Sequence, residues 1–493
     1  MTELRPRLDA ETAACNMSEI EPAYTDQEAR VEADRCLYCF DAPCIHSCPT
    51  GIDIPAFIKK IANDNVTGAG RTILQANVLG ASCARVCPTE VLCEGACVML
   101  DRDASPIKIG RLQRYATDHI YDNDIRVLDV PSEKSGKRVA IVGAGPAGLG
   151  CAAELAKLGH EVVAFERKPE AGGLNTYGIA YYKLTPETSL AEVELVKSLG
   201  VEIRTGVEVG RDVTMDELRR DFDAVFLGVG LGGTRALGIP GEELEGVVDA
   251  LTFIEELHTK PLHEVPIGER VAVIGCGNTA IDAVTQAIRL GAREATIVYR
   301  RGEDDMSAYE YEYELGKTDG AHFRFHTTPV EVVGSNGAVT GLVVARTRVT
   351  ESGSLEVIED TREELRVDMV IAAVGQEAMR SALTAMLPDL DLDRRGAIQR
   401  DFATGRTNVE GVWAGGDGAN GGSEVVDAVA EGKRAAADIH RTFTGESHSA
   451  GPVQTTRHGV PGGVRLAGLD RPVRVPDLER EYHAQTNGGS TDG

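Results

Sequence analysis

Four absences narrow this 493-residue chain before any motif is read. It has no run of ~18 apolar residues, so it is not expected to span a membrane. Its first residues, MTELRPRLDAETAACNM, hold no apolar signal core, which predicts a cytoplasmic location. Basic residues are few: 51 Lys and Arg stand against 77 Asp and Glu, a net charge of −26. That charge repels nucleic acid and anionic lipid and favours solubility, so neither a nucleic acid nor a membrane is an expected partner. The fourth absence is chemical. No cysteine pair accompanies Gly172-Gly-Leu-Asn-Thr176, and Cys276 stands without a Cys-x-x-Cys partner, so thiol-exchange chemistry is not expected.

What is present begins with cysteine. Eight of the 11 cysteines lie between residues 36 and 97: Cys36, Cys39, Cys44 and Cys48, then Cys83, Cys87, Cys93 and Cys97. Cys48 and Cys87 each precede a proline. Thiolates at such spacings, with Cys-Pro steps, are the sequence form of iron–sulfur ligation. A disulfide scaffold would suit a small secreted domain instead. Zinc is the stronger rival, because Cys36-x-x-Cys39 could pair with another such couple. The second group has no Cys-x-x-Cys, which favours clusters. Cys15, Cys151 and Cys276 read as small packing residues or free thiols.

The length suggests about three domains. Residues 1–30 are polar and are expected to extend over the surface. Residues 31–125 carry the cysteines among helical patterns such as Ile109-x-x-Leu112-x-x-Tyr115-Ala116. Ser132–Gly136 reads as a linker. From Arg138 strands and helices alternate to about residue 445, the α/β signature. A second strand–glycine–helix unit begins at Arg270 and sits between two halves of a larger one. The expected organisation is a helical domain with two [4Fe–4S] clusters over 1–130, followed by two Rossmann-like domains. An FAD domain would span 131–235 and 378–445, with an NAD(P)H domain inserted over 236–377. A tail follows over 446–493.

Three glycine motifs carry the nucleotide chemistry. Gly143-Ala144-Gly145-Pro146-Ala147-Gly148 follows a buried strand and opens a helix, where glycines admit a pyrophosphate to the helix N-terminus. Glu166 ends the next strand, where an acid can bind ribose hydroxyls. Gly172 and Gly173 follow. The second motif is Gly275-Cys-Gly277-Asn278-Thr279, with Asp282 just inside the helix. Its next strand ends in Arg300-Arg301, which favours the 2′-phosphate of NADPH over NADH as the co-substrate. The third is Gly411-Val-Trp-Ala-Gly-Gly416-Asp417, followed by a helix starting near Glu424 and Val425.

Over about residues 25–445 the chain resembles the flavin-containing half of dihydropyrimidine dehydrogenase and the bacterial small subunit of that enzyme. The resemblance rests on Arg35-Cys-Leu-x-Cys39-x-Asp-Ala-Pro-Cys44-x-x-x-Cys48-Pro-Thr, on Cys83-x-x-x-Cys87-Pro-Thr-x-x-Leu-Cys93-x-x-x-Cys97, and on Ile109-Gly-Arg-Leu-Gln113. Glutamate synthase small subunits share the layout. The resemblance implies one cluster on Cys36, Cys39, Cys44 and Cys97. The other would use Cys48, Cys87, Cys93 and Gln113, leaving Cys83 unligated. It implies FAD contacts at Ala144, Pro146, Ala147, Glu166, Gly173, Leu174, Lys183, Val209 and Asp417. Nucleotide contacts are implied at Gly277, Asn278, Thr279, Arg300, Arg301 and the Ala373-Val-Gly375 turn. A phosphate-binding arginine of the animal enzyme corresponds here to Ser307.

The implied activity is transfer of electrons from NADPH (or NADH) through FAD and two [4Fe–4S] clusters to a partner. The chain itself would carry no substrate acid or base. The implied partner is an FMN-containing, pyrimidine-reducing subunit with a TIM-barrel fold, giving a hetero-oligomer. Such a barrel needs ~250 further residues. The tail, with Arg457, Arg465, Arg471 and Arg474, is the expected docking segment. The alternatives are a glutamate synthase small subunit, a bifurcating or transhydrogenase subunit, or a redox assembly module without NAD(P)H oxidation.

Overall fold

Val139-Ala-Ile-Val142 and Val271-Ala-Val-Ile274 are short apolar runs with no polar face, the composition of strands covered on both sides. Each is the central strand of a five-stranded parallel sheet. The computed structural model describes residues 4–452 except 103 and 351–353. Strands β1 (Arg138–Val142), β2 (Glu161–Glu166), β3 (Glu202–Thr205) and β4 (Ala224–Leu227) start the first sheet. The chain then leaves it. β5 (Val247–Asp249), β6 (Arg270–Ile274), β7 (Glu294–Val298) and β8 (His322–Arg324) belong to the second sheet. An antiparallel sheet of β9 (Thr327–Ser335), β10 (Ala338–Val349) and β11 (Leu355–Leu365) follows. β12 (Met369–Ala372) returns to the second sheet, and β13 (Val412–Ala414) returns to the first. The sheet orders are β13-β4-β1-β2-β3 and β5-β12-β6-β7-β8.

The outgoing and returning segments run side by side. Gly232 N–H donates to Glu377 O at 2.7 Å, Arg235 N–H to Gly375 O at 2.9 Å, and Glu377 N–H to Gly233 O at 2.9 Å. The second unit is therefore inserted into the first through one paired neck.

The N-terminal domain is helical and packs around Phe57, Ile58, Ile61, Ile73, Ile109 and Leu112, all at most 2% exposed. It is fastened to the first α/β unit by a buried carboxylate. Glu192 accepts from Ala81 N–H at 2.8 Å and Ser82 N–H at 3.0 Å. Burial pushes its pKa up to about 7 against those hydrogen bonds.

Residues 4–30 lie mostly at the surface, yet they are anchored at two points. The helix Ala10–Asn16 buries Ala13, and Met17 joins the core of the inserted domain at 1% exposure. Arg7 Nε donates to Ile267 O at 3.0 Å, and Asn16 Nδ2 to Arg289 O at 3.0 Å. Ala13 and Met17 are four residues apart, so a polar segment still presents one apolar helical face. Residues 453–493, with the arginines of the expected docking tail, lie outside the described residues. Among the described residues no helix is long and apolar enough to cross a membrane.

Behind the first sheet, His160 is buried between Ser135 Oγ, 2.7 Å from Nδ1, and His440 Nδ1, 2.9 Å from Nε2. Burial, then the neighbouring His440, lowers its pKa to about 4. An unfolded histidine protonates near pH ~6.5. Between those values the unfolded chain binds more protons, so stability falls as pH drops through that window. We expect urea unfolding to show this loss from about pH 6.5 down to about pH 4, and His160→Gln to flatten it. An unchanged slope in the variant would remove His160 as the cause.

Candidate redox site

The first glycine motif works because its turns leave no room for side chains. Gly143 has φ +92°, and a Cβ there would lie 2.5 Å from Gly228 O. A Cβ on Gly148 would lie 2.0 Å from Gly143 O. The helix Pro146–Lys157 starts immediately behind this turn, with its proline in the first turn. Glu166 closes β2 and fixes the loop, accepting from Ala144 N–H and Lys168 N–H, each at 2.9 Å. Two further glycines press in from other loops. Gly173 (φ +59°) would place a Cβ 2.8 Å from Gly145 Cα, and Gly416 (φ +73°) one 2.8 Å from Ala147 Cβ.

These loops frame a cleft of ≈ 920 Å³. Gly143, Gly145, Pro146, Ala147, Glu166, Gly173 and Leu174 line it, as do Lys183, Val209, Gly416, Asp417 and Val425. Ala144, Gly148 and Gly172 stand behind the wall and shape its turns. Asn175, 1% exposed, lines the cleft with both side-chain polar atoms unpartnered, and sequence reading missed it. A buried amide with neither atom bonded calls for a polar ligand. Asp417 accepts from Ser423 N–H at 3.1 Å, and burial raises its pKa to about 6. The cradle fits FAD: Gly145 and Pro146 would face the pyrophosphate, Glu166 the ribose and Asp417 the flavin chain.

Lys183 reaches the cleft with its charge already paired. Its Nζ lies 2.6 Å from Asp282 Oδ1 and also bonds the Glu312 carboxylate. Burial alone would lower the Lys183 pKa, yet the two carboxylates raise it. Burial pushes Asp282 up to about 6 against Lys183. The resemblance assigned Lys183 to the flavin; the structure gives it a second task, joining the first unit to the inserted one.

The second glycine motif repeats the first. Gly275 has φ +128°, and a Cβ there would lie 2.3 Å from Ala373 O. Gly277 precedes the helix Asn278–Arg289 and faces Ser307 Oγ. Asn278 and Thr279 line the same cleft as the first motif. Gly275, Gly277 and Gly375 lie outside its wall, and Arg300 and Arg301 are exposed just past the end of β7.

The thiols fall into two groups. Cys48, Cys83, Cys87, Cys93 and Gln113 line a small cavity with Val426. Gln113 is buried, and its Nε2 donates to Gly80 O at 2.7 Å, which leaves Oε1 as its acceptor. The Cys83 and Cys87 thiols are hydrogen-bonded to each other, which brings Cys83 into this group, although the resemblance left it unligated. Cys36, Cys39, Cys44 and Cys97 form the other group. Burial, then Cys36, Cys97 and Cys39, pushes Cys44 up to about 12. None of the eleven cysteines forms a disulfide. Among the described residues no three Cys, His, Asp or Glu side chains converge on a single metal ion. A tetrahedral zinc holds its thiolates at ~2.3 Å from one centre. The described thiols show no such single-centre arrangement.

Residues 13–125 match the family described as dihydropyrimidine dehydrogenase domain II, 4Fe-4S cluster. Residues 137–432 match the pyridine nucleotide-disulphide oxidoreductase family. The glutamate synthase [NADPH] small chain of Escherichia coli (strain K12) is 35% identical over 441 residues, covering 85% of this chain and 93% of that one. The NADP(+)-dependent formate dehydrogenase subunit beta of Moorella thermoacetica is 35% identical over 426 residues, covering 81% and 59%. Among solved structures, FprA of Mycobacterium tuberculosis in complex with NADPH has a TM-score of 0.51 at 23% identity, covering 64% of this chain and 87% of that one. That last likeness is one of fold.

A methyl group at Gly173 would meet backbone and force an L-residue into positive φ. Gly173→Ala should weaken flavin retention about tenfold or more, ~1.4 kcal/mol, read as flavin absorbance per protein after dialysis. Full flavin content in the variant would refute the cradle.

Proposed function

The chain belongs to the glutamate synthase small-chain superfamily, and on that premise we propose that it is the NADPH-oxidising, electron-input subunit of a larger oxidoreductase. One observation carries the reading: both glycine motifs open on a single cleft, with Asn278 and Thr279 facing it from one unit and Gly145, Pro146 and Gly416 from the other. A nicotinamide on the inserted unit and a flavin on the first can therefore meet without a transfer arm. FAD, when bound, supplies the conversion of a hydride pair into single electrons.

The protein's own part is positional. Glu166 and the glycine turns hold the dinucleotide, and the Lys183–Asp282–Glu312 group aligns the two units. The thiol groups and Gln113 would hold the iron–sulfur centres that receive single electrons.

The favoured companion is the large chain of a glutamate synthase type, since two such small chains match over more than nine-tenths of their length. The pyrimidine-reducing FMN barrel is the second reading, favoured by the family match of residues 13–125. Affinity purification of the tagged chain from its own host identifies the companion. NADPH-dependent glutamate formation by the complex supports the first reading, and 5,6-dihydrouracil formation replaces it with the second.

The coenzyme choice has its own test. Arg300 lies two residues past the end of β7, one residue beyond the position that corresponds in register to Glu166, where a guanidinium can take the 2′-phosphate. Arg300→Ala should raise KM for NADPH about tenfold in a ferricyanide assay and leave that for NADH within about twofold. Equal loss with both coenzymes would refute phosphate recognition.

A further inference from the structure

The flavin cleft and the inner thiol cavity share no lining residue, yet they touch through neighbours in sequence. Val86 lines the cleft and Cys87 the cavity; Val425 lines the cleft and Val426 the cavity. At both places consecutive residues face opposite sides of the partition. Val426 is 2% exposed and packs with Cys83, Val91 and Leu92. Electron passage falls steeply with separation, so the spacing of this partition matters.

A residue of the inserted unit braces the partition. Tyr309 packs against the same apolar group as Val425 and Cys87. Its hydroxyl donates to Glu424 Oε1 at 2.6 Å. Glu424 caps the helix Val425–Thr444, and its own N–H donates to Asp427 Oδ2 at 3.2 Å. At its other end, Tyr309 N–H donates to Asn278 Oδ1 at 3.0 Å, and Asn278 opens the nucleotide helix and faces the cleft. The sequence Asn278, Tyr309, Glu424, Val425-Val426 thus joins the nucleotide site to the partition by two hydrogen bonds.

From this arrangement we infer that Tyr309 is a positioning residue that couples nucleotide occupancy to the route between the flavin cleft and the thiol cavity. The inference rests on the function proposed above. Nucleotide bound at Asn278 steadies Tyr309, which holds the first turn of the final helix against Cys87. Each passage moves one electron and makes or breaks no bond. Two passages carry the pair delivered by one hydride, and its proton goes to solvent.

The test uses the full-length holoprotein and its Tyr309→Phe variant, which keeps the ring and removes only the hydroxyl. NADPH should bleach the flavin absorbance of Tyr309→Phe within about twofold of the wild-type rate, while the freeze-quenched EPR signal of the reduced clusters should rise about tenfold more slowly. Hydrogen exchange gives a second readout: NADP+ should protect the amides around Val425–Asp427 in wild type and fail to do so in Tyr309→Phe. Cluster reduction at the wild-type rate, or parallel slowing of flavin bleaching, overturns the inference. So does slowing in Tyr309→Ala with none in Tyr309→Phe, which would make packing alone responsible. If dithionite raises no cluster signal in wild type, the functional reading itself fails and this inference falls with it.

Discussion

The whole arrangement depends on one close approach between helices. A Cβ on Gly432 would lie 2.1 Å from Ala147 O, and one on Gly150 would lie 3.0 Å from Val429 O. The helix Val425–Thr444 therefore lies across Pro146–Lys157 backbone to backbone, closer than ordinary side chains permit. That contact seats the returning half of the first unit after an insertion of well over a hundred residues. It also aims the last helix. Its first turn stands between cleft and thiols, while Lys433, two turns on, donates to Thr50 O at 3.1 Å and to Ala76 O in the helical domain. One helix thereby touches the flavin cradle, the cluster domain and, through Glu424, the inserted unit.

Single buried charges set how the three bodies meet. Glu192 binds the helical domain to the first unit, Lys183 binds the first unit to the second, and Lys433 binds the last helix to the helical domain. Lys433 is 6% exposed, and that burial lowers its pKa to about 8. Such groups lose hydration free energy on burial, and a buried ion pair is weak evidence for net stability. Their directional bonds instead select one alignment. An apolar interface of the same area would tolerate sliding, and a cleft shared by two units does not.

Much of this was legible in the sequence because the chemistry demands particular residues. Gly143, Gly173 and Gly275 adopt positive φ where a Cβ would strike backbone, so no substitute preserves the turn. The insertion was legible from flavin-type signals on both sides of a second fold unit. Other features were not. Cys83 and Cys87 are four apart, so helical geometry puts them on one face, but which cavity that face meets depends on how the helix Gly80–Val86 docks. Lys183 finds Asp282 and Glu312 only through tertiary structure, about a hundred residues along the chain. Met17 was hidden by the polarity of its neighbours. Asn175 carried no signal beyond following the glycine pair.

The titratable groups around the cleft fit the electron-passing role proposed above. Glu166 is committed to two backbone N–H groups, and Asp417 to Ser423 N–H. Lys183 pairs with Asp282 and Glu312, and Lys168 pairs with Glu255. Each of these groups holds scaffold, and none is left poised as a general acid or base. Hydride transfer between a nicotinamide and a flavin asks for alignment rather than proton transfer from a side chain, so this inventory suits it. A carbon–carbon or carbon–nitrogen double bond being reduced would need a positioned proton donor. That fit belongs to the reading proposed above, under which the residues acting on a final substrate would stand where the electrons arrive.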